Sequence, residues 1–348
     1  MSESFDAILL ASFGGPEGVE DVVPFLRRVT AGRNIPDERL EVVGEHYYHF
    51  GGVSPINEIN RGIQQRLRAA LRERGLALPV YWGNRNWSPL IEDVATQMAE
   101  DGVRRALVLA TSAYGGYSAC CQYHEDISRA VRAGGGRVSL EKLPQTYHTE
   151  AFAQINADAV RRALRDLGRD TFTDDVRLVL TAHSVPTKAN EESGPAGRLY
   201  QQQVETVAAE VAMRVGARTW DVAWQSRSGA PHIPWLEPDI CDHLETLSSA
   251  GVTHVVIAPV GFVSDHMEVI WDLDTEAQAK ADELGLRMAR ARTASDDPRF
   301  IDLYADLIIA RVSGGPAPAT YCEVLQGVNG VGVDGAPCTV GCCRARSL

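Results

Sequence analysis

Two short segments carry side chains able to move protons and to ligate a metal ion: Thr181-Ala182-His183-Ser184-Val185-Pro186 and Ser264-Asp265-His266-Met267-Glu268. An imidazole exchanges a proton near neutral pH, and a desolvated carboxylate beside it can hold or pass one, so together they suit proton abstraction with metal exchange. The second segment continues as DHMEVIWDLDTE, in which Glu268, Asp272 and Glu276 recur every four residues. On a helix they form one carboxylate stripe, straighter still if the helix widens to a π turn. Like charges at this spacing repel unless a cation visits, and carboxylate and imidazole ligands suit hard or borderline divalent ions. A solvated acidic face and a core histidine are the plainer alternatives. Against them stands the position of both segments, each just past an apolar run that reads as a buried strand, with Ile270 and Leu273 on another side of the acidic helix.

Strands that could place these groups fall at 7–13, 80–83, 106–111, 138–143, 176–182, 221–225, 254–260 and 287–289. Amphipathic stretches at 59–74, 90–101 and 151–167 alternate with them, a βαβ rhythm that predicts a mainly parallel sheet in each half of an α/β chain. In such sheets ligands bind at the strand C-terminal ends. The halves echo each other: 8–16 and 178–186 are both apolar strands that run into a small-residue turn closed by Pro. The spacing predicts two similar domains, 1–147 and 148–313, with a last helix able to pack back on the first. A Gly/Cys-rich extension follows over 314–348, after Gly314-Gly315-Pro316 breaks that helix. Gly14-Gly15-Pro16 permits a tight turn and close backbone approach to a ligand, but it is not a dinucleotide fingerprint.

The chain has 348 residues, and 46 Asp and Glu against 34 Lys and Arg give a net charge of -12 without a basic stripe. Nucleic acid is therefore not an expected partner. The N-terminus lacks a positive n-region and the first apolar run is too short to cross a bilayer, so a cytoplasmic protein without an integral membrane segment is expected. Four of the seven cysteines lie at or beyond Cys322. An odd count in that compartment argues against a disulfide framework, and terminal clustering suggests a metal or iron-sulfur site.

Ser12-Phe13-Gly14-Gly15-Pro16, Gly51-Gly52-Val53-Ser54-Pro55-Ile56, the TAHSVP segment, Trp224-Gln225-Ser226, Pro234-Trp235-Leu236 and GFVSDHMEVIWDLD, taken in order, resemble ferrochelatases. The resemblance implies two Rossmann-like, chelatase-type domains, each a mainly parallel four-stranded sheet flanked by helices, around a porphyrin cleft where Fe2+ is inserted and two protons leave. By position it implies catalytic roles for His183 and Glu268, and a metal path over His183, Glu268, Asp272 and Glu276. It also implies porphyrin contacts at Phe13, Arg33, Ser54, Tyr123, Trp224 and His266; a phenyl ring at position 13 cannot ligate iron. Further candidates for packing on the ring are Tyr114 and Tyr117.

The cysteine tail resembles that of actinobacterial members, which implies a 2Fe-2S cluster on Cys120, Cys338, Cys342 and Cys343, with Cys121 and Cys322 as alternatives and Cys241 a small core residue. In that branch the porphyrin is coproporphyrin III, whose four carboxylates would find Arg27, Arg28 and Arg33 near the first turn. Protoporphyrin IX is the alternative substrate; a cobalt chelatase and a non-catalytic haem carrier are the rival functions. A monomer, with transient contact to neighbouring haem-pathway enzymes, is the expected assembly.

Overall fold

The computed structural model describes residues 4–32, 35–228, 232–324, 328–339 and 341–342. The first half runs β1 (Ala7–Ser12), α1 (Val22–Val29), α2 (Asp37–His49), α3 (Ile56–Glu73), β2 (Val80–Asn84), α4 (Ile91–Glu100) and β3 (Arg105–Ala110). A π turn over Tyr117–Cys121 then leads into α5 (Gln122–Ala133) and β4 (Ser139–Lys142). The second half runs α6 (Glu150–Asp166), β5 (Val176–His183), α7 (Thr187–Glu191), α8 (Leu199–Val215), β6 (Trp220–Gln225), α9 (Ile240–Ser249) and β7 (His254–Ala258). Next come α10 (Met267–Val269), a π-helical segment (Ile270–Ala277) and α11 (Gln278–Glu283) as one continuous helix, then β8 (Arg287–Arg290), α12 (Pro298–Ser313) and β9 (Gly332–Val333).

All eight strands expected from the apolar runs form, and all pair in parallel within two sheets. Their orders, β2-β1-β3-β4-β9 and β6-β5-β7-β8, share one pattern: the first strand of each half sits inside, with the second on one side and the third on the other. The reversal between β1 and β3, and between β5 and β7, opens a crevice beyond the strand ends, where open α/β sheets take ligands. β1 shows why the strands are central: Ala7, Ile8, Leu9, Leu10 and Ala11 are all fully buried, as a strand covered by helices on both faces must be.

The first sheet differs from expectation in one respect, a fifth strand. β9 pairs antiparallel with β4, and beside it Asp334 accepts from the Leu140 N–H at 2.8 Å while its own N–H donates to Leu140 O at 2.8 Å. The returning tail thereby covers an edge of unpaired backbone groups.

One hydrophobic core spans both sheets. Ile8, Leu10 and Leu107 from the first and Leu178, Leu180 and Val256 from the second belong to it, with Phe152 of α6 and Phe300 and Tyr304 of α12. The C-terminal edges of the sheets also touch: Tyr114 Oη, past β3, donates to Val260 O, past β7, at 2.7 Å. Above them α1 and α2 pack Phe25, Leu40 and Tyr47 around Met267 of the second half. No helix among the described residues is long and apolar enough to cross a membrane.

Candidate active site

His183 is the last residue of β5, not the first of a turn as expected, because its backbone still pairs with Gln225 of β6. Its Nδ1 lies 2.5 Å from Ser184 O. A carbonyl oxygen can only accept, so Nδ1 carries the hydrogen and Nε2 is left as the ring nitrogen able to exchange a proton. That Nε2 is 3.6 Å from Glu268 Oε2, and His266 Nδ1 reaches the same oxygen at 3.9 Å. His183 and Glu268 are partly exposed, whereas burial pulls the His266 pKa below its ordinary value, against the opposing pull of Glu268. Edge-on contact with Phe262, at a centroid distance of 5.1 Å, seats the His266 ring.

The carboxylate stripe lies on a helix that does widen to π over Ile270–Ala277. Burial, followed by the negative charges of Glu268 and Glu276, raises the Asp272 pKa to about 7. Two donors from the end of β6 oppose that rise: Gln225 Nε2 at 3.3 Å and the Ser226 hydroxyl in a short hydrogen bond. To aim that hydroxyl, Ser226 takes a left-handed backbone with φ of 62°, a conformation uncommon for a residue other than glycine. The quoted Trp224-Gln225-Ser226 segment thus serves Asp272 through its last two residues, a role its types alone did not reveal. Glu276 accepts from Trp271 Nε1 at 2.9 Å, and the Trp271 ring stacks on His46 of α2 at 4.2 Å. Neither partner was expected. Tyr47, buried beneath the same groups, has its phenol held protonated by burial and by Glu268 and Asp272.

At the end of β1 in the other sheet, the turn brings an aromatic ring and backbone. Phe13 is 37% exposed, with its ring edge-on to Phe25. The glycines behind it are required by space. A Cβ at Gly14 would meet Asn84 Cβ at 2.8 Å, and one at Gly15 would meet Ser54 Cβ at 2.7 Å.

Of the other expected porphyrin contacts, Ser54 is buried and its N–H donates to Pro16 O at 2.9 Å, bracing the turn. Tyr123 lies inside the first half's core under the Arg85 guanidinium, and Trp224 packs in the shared core beside Tyr200; both are 4% exposed or less. Tyr114, named as a ring-packing candidate, is also core. Arg27 is engaged by Asp37 at 2.6 Å. Arg33 lies outside the described residues.

The expected 2Fe-2S cluster needs correction. Among the described residues, no group of three or more His, Cys, Asp or Glu side chains is placed to hold a metal ion. The Cys338 and Cys342 sulfurs lie 3.9 Å apart, and the Cys120 sulfur lies 3.8 Å from His124 Nε2. Cys120, Cys121, Cys338 and Cys342 line one small pocket with His124, but no three of these side chains are placed to hold a metal ion, and Cys343 lies outside the described residues. The described residues do not fit the cofactor.

Comparison with known proteins bears on the whole chain. The family model described as Ferrochelatase matches residues 5–312. Among curated relatives, the coproporphyrin III ferrochelatase of Nocardia farcinica is 51% identical over 351 residues, covering 98% of this chain and 97% of its own. Those of Mycolicibacterium smegmatis, 50% identical over 97% of this chain and 99% of its own, and Streptomyces coelicolor, 49% over 99% and 94%, are similar to the same extent. Among solved structures, SirB from Bacillus subtilis with Fe3+ aligns with a TM-score of 0.52 at 13% identity over 88% of this chain and 96% of its own. CbiX, from siroheme biosynthesis in denitrifying bacteria, aligns at 0.50 and 11% identity over 87% and 98%. At those identities the structures speak for the fold alone.

Proposed function

The chain belongs to the ferrochelatase family, and from that premise we propose that it inserts Fe2+ into coproporphyrin III, giving coprohaem and releasing two protons. Support for the substrate comes from relatives of about half identity that cover nearly the whole chain and bear that activity in their names. Support for the chemistry comes from one observation above all: His183 directs Nε2 toward Glu268, on the same helix as a carboxyl group whose pKa is raised to about 7.

A free-base porphyrin must lose two N–H protons as the metal enters its plane. In our reading, His183 Nε2 accepts a proton from a pyrrole nitrogen, and Glu268, within reach of both histidines, receives the iron and relays protons. Asp272, with a pKa near 7, takes protons from Glu268 and hands them to Glu276 at the outer end of the stripe. Iron travels the same line inward, since each carboxylate that gives up a proton becomes a better ligand for a divalent ion. Phe13 and the Gly14-Gly15 backbone form the opposite wall, against which the macrocycle packs; His266 and Ser54 border it, and Arg33 pairs with a propionate. We assign the domains to 1–147, 148–313 and 314–348, and place the reaction in the cytoplasm.

Anaerobic incubation with Fe2+ and each of two porphyrins, followed by absorbance, tests the reading. Coproporphyrin III should be metallated with the higher kcat/KM. Preference for protoporphyrin IX would overturn the substrate, and absence of metallation with either would overturn the activity.

A further inference from the structure

The candidate site draws on two pieces of chain, the loop that ends in Asp265-His266 and the continuous helix that carries Glu268, Asp272 and Glu276. Something must hold the two pieces in register.

A single guanidinium bridges them from behind. Arg290 is the last residue of β8, where its backbone pairs with Ile257 of β7. Its Nη1 and Nη2 donate to the two carboxylate oxygens of Asp265 at 3.1 Å each. Its Nε and Nη2 donate to the two oxygens of Asp274 at 2.5 and 2.8 Å. Asp265 immediately precedes His266. Asp274 stands two positions from both Asp272 and Glu276, hence off the face that those two share. The Arg290 and Asp265 side chains are 16% and 19% exposed, so the Asp265 fork is shielded from bulk water, whereas Asp274, 37% exposed, leaves its fork partly open. A lysine could supply the charge at this place but not two bidentate forks at once.

We propose that Arg290 is a positioning residue for metallation: by clamping Asp265 to Asp274 it fixes the loop that presents His266, whose ring reaches Glu268, against the helix that presents Glu268, Asp272 and Glu276, and so sets the affinity of the site for incoming Fe2+. Arg290 contacts none of the proposed catalytic groups directly. Loss of the clamp should therefore disturb metal capture and leave the opposite, porphyrin-packing wall unchanged. This inference rests on the proposed function.

The test compares Arg290→Gln, Arg290→Lys and Asp274→Asn with the wild-type protein. Steady-state kinetics with varied Fe2+ and varied coproporphyrin III is one readout, and optical titration of the porphyrin-free protein with Co2+ is the other. Expected is a rise of roughly ten-fold in KM for Fe2+ and a matching loss of Co2+ affinity in both Arg290 variants, as for other groups that orient metal ligands. The KM for the porphyrin should stay within about two-fold of wild type. Because Lys keeps the charge, near-wild-type behaviour of Arg290→Lys would overturn the bridging geometry. Equal losses for both substrates would reduce Arg290 to a general stabiliser and overturn the proposal. Should the Arg290 variants fail to fold, Asp274→Asn leaves the Asp265 fork intact and should still raise the Fe2+ KM selectively; an unchanged value there sinks the clamp. If wild type binds Co2+ but metallates no porphyrin, the functional reading fails while the Co2+ arm still decides on Arg290.

Discussion

The two sheets share one strand order and touch at their C-terminal edges, yet the edges carry different chemistry. Beyond β5 and β7 stand His183, His266 and Glu268, continued by Asp272 and Glu276. Beyond β1 and β3 the turn offers an exposed phenyl ring and two glycines pressed on Asn84 and Ser54. Equivalent topology therefore fixes where a ligand sits and leaves open what is done to it. Under the proposed function, the titrating wall handles protons and metal, and the aromatic wall handles the ring.

The sharpest way to break this contrast is at His183. His183→Ala removes the proposed proton acceptor at a strand end without opening a core cavity, so kcat should fall roughly a hundred- to ten-thousand-fold. Porphyrin binding, followed by fluorescence quenching, should persist. Near-normal turnover would end the assignment of roles to the two walls.

Glu268→Gln keeps the shape and removes the charge. A loss of kcat of roughly ten- to a hundred-fold is expected, measured by iron insertion at saturating porphyrin. If the porphyrin KM moved instead, Glu268 would belong with the ring-packing wall.

Asp272 sharpens the contrast through pH. Its pKa is raised on folding from 3.8 to about 7, so between those values the folded state holds a proton that the unfolded state has released. Stability contributed by that proton is complete below the unfolded value and is lost as pH rises through the folded one. Asn cannot ionise. Melting curves of Asp272→Asn should match wild type near pH 4 and lie above it at about pH 8, while its Fe2+ KM is raised. A constant difference in Tm across that range would refute the elevated pKa.

The smallest effect belongs to the aromatic wall. Phe13→Ala should raise the porphyrin KM roughly three- to ten-fold, the worth of one aromatic contact, and leave the Fe2+ KM unaltered. A change confined to Fe2+ would blur the two walls.

Much of this architecture is legible in the residues because it depends on near neighbours. An unbroken apolar run such as Ala7-Ile8-Leu9-Leu10-Ala11 can bury both faces of a central strand, and Gly14-Gly15-Pro16 ends it. Carboxylates at every fourth position announce their shared face. Contacts between distant segments are not written that way. β9 is two residues long and pairs with β4 only because the tail comes back to that edge. Trp224 and Tyr123 are implied as ring contacts by the resemblance, but packing leaves them 3% and 4% exposed inside the core. The cysteines suggest a cluster by their grouping along the chain, whereas a metal centre needs sulfurs that converge in space.

The sequence by itself determined the two-sheet α/β class and offered the ends of β5 and β7, with His183, Glu268, Asp272 and Glu276, as the candidate place for chemistry, since periodicity and residue type are local properties of a chain. Only the tertiary structure decided that Ser184 O sets the His183 tautomer, that Gln225 and Ser226 hold Asp272, and that Arg290 bridges Asp265 and Asp274. Hydrogen-bond geometry and desolvation depend on which atoms meet across long separations in sequence. Those meetings are fixed by how the sheets and helices pack, not by the spacing of residues along one strand or helix.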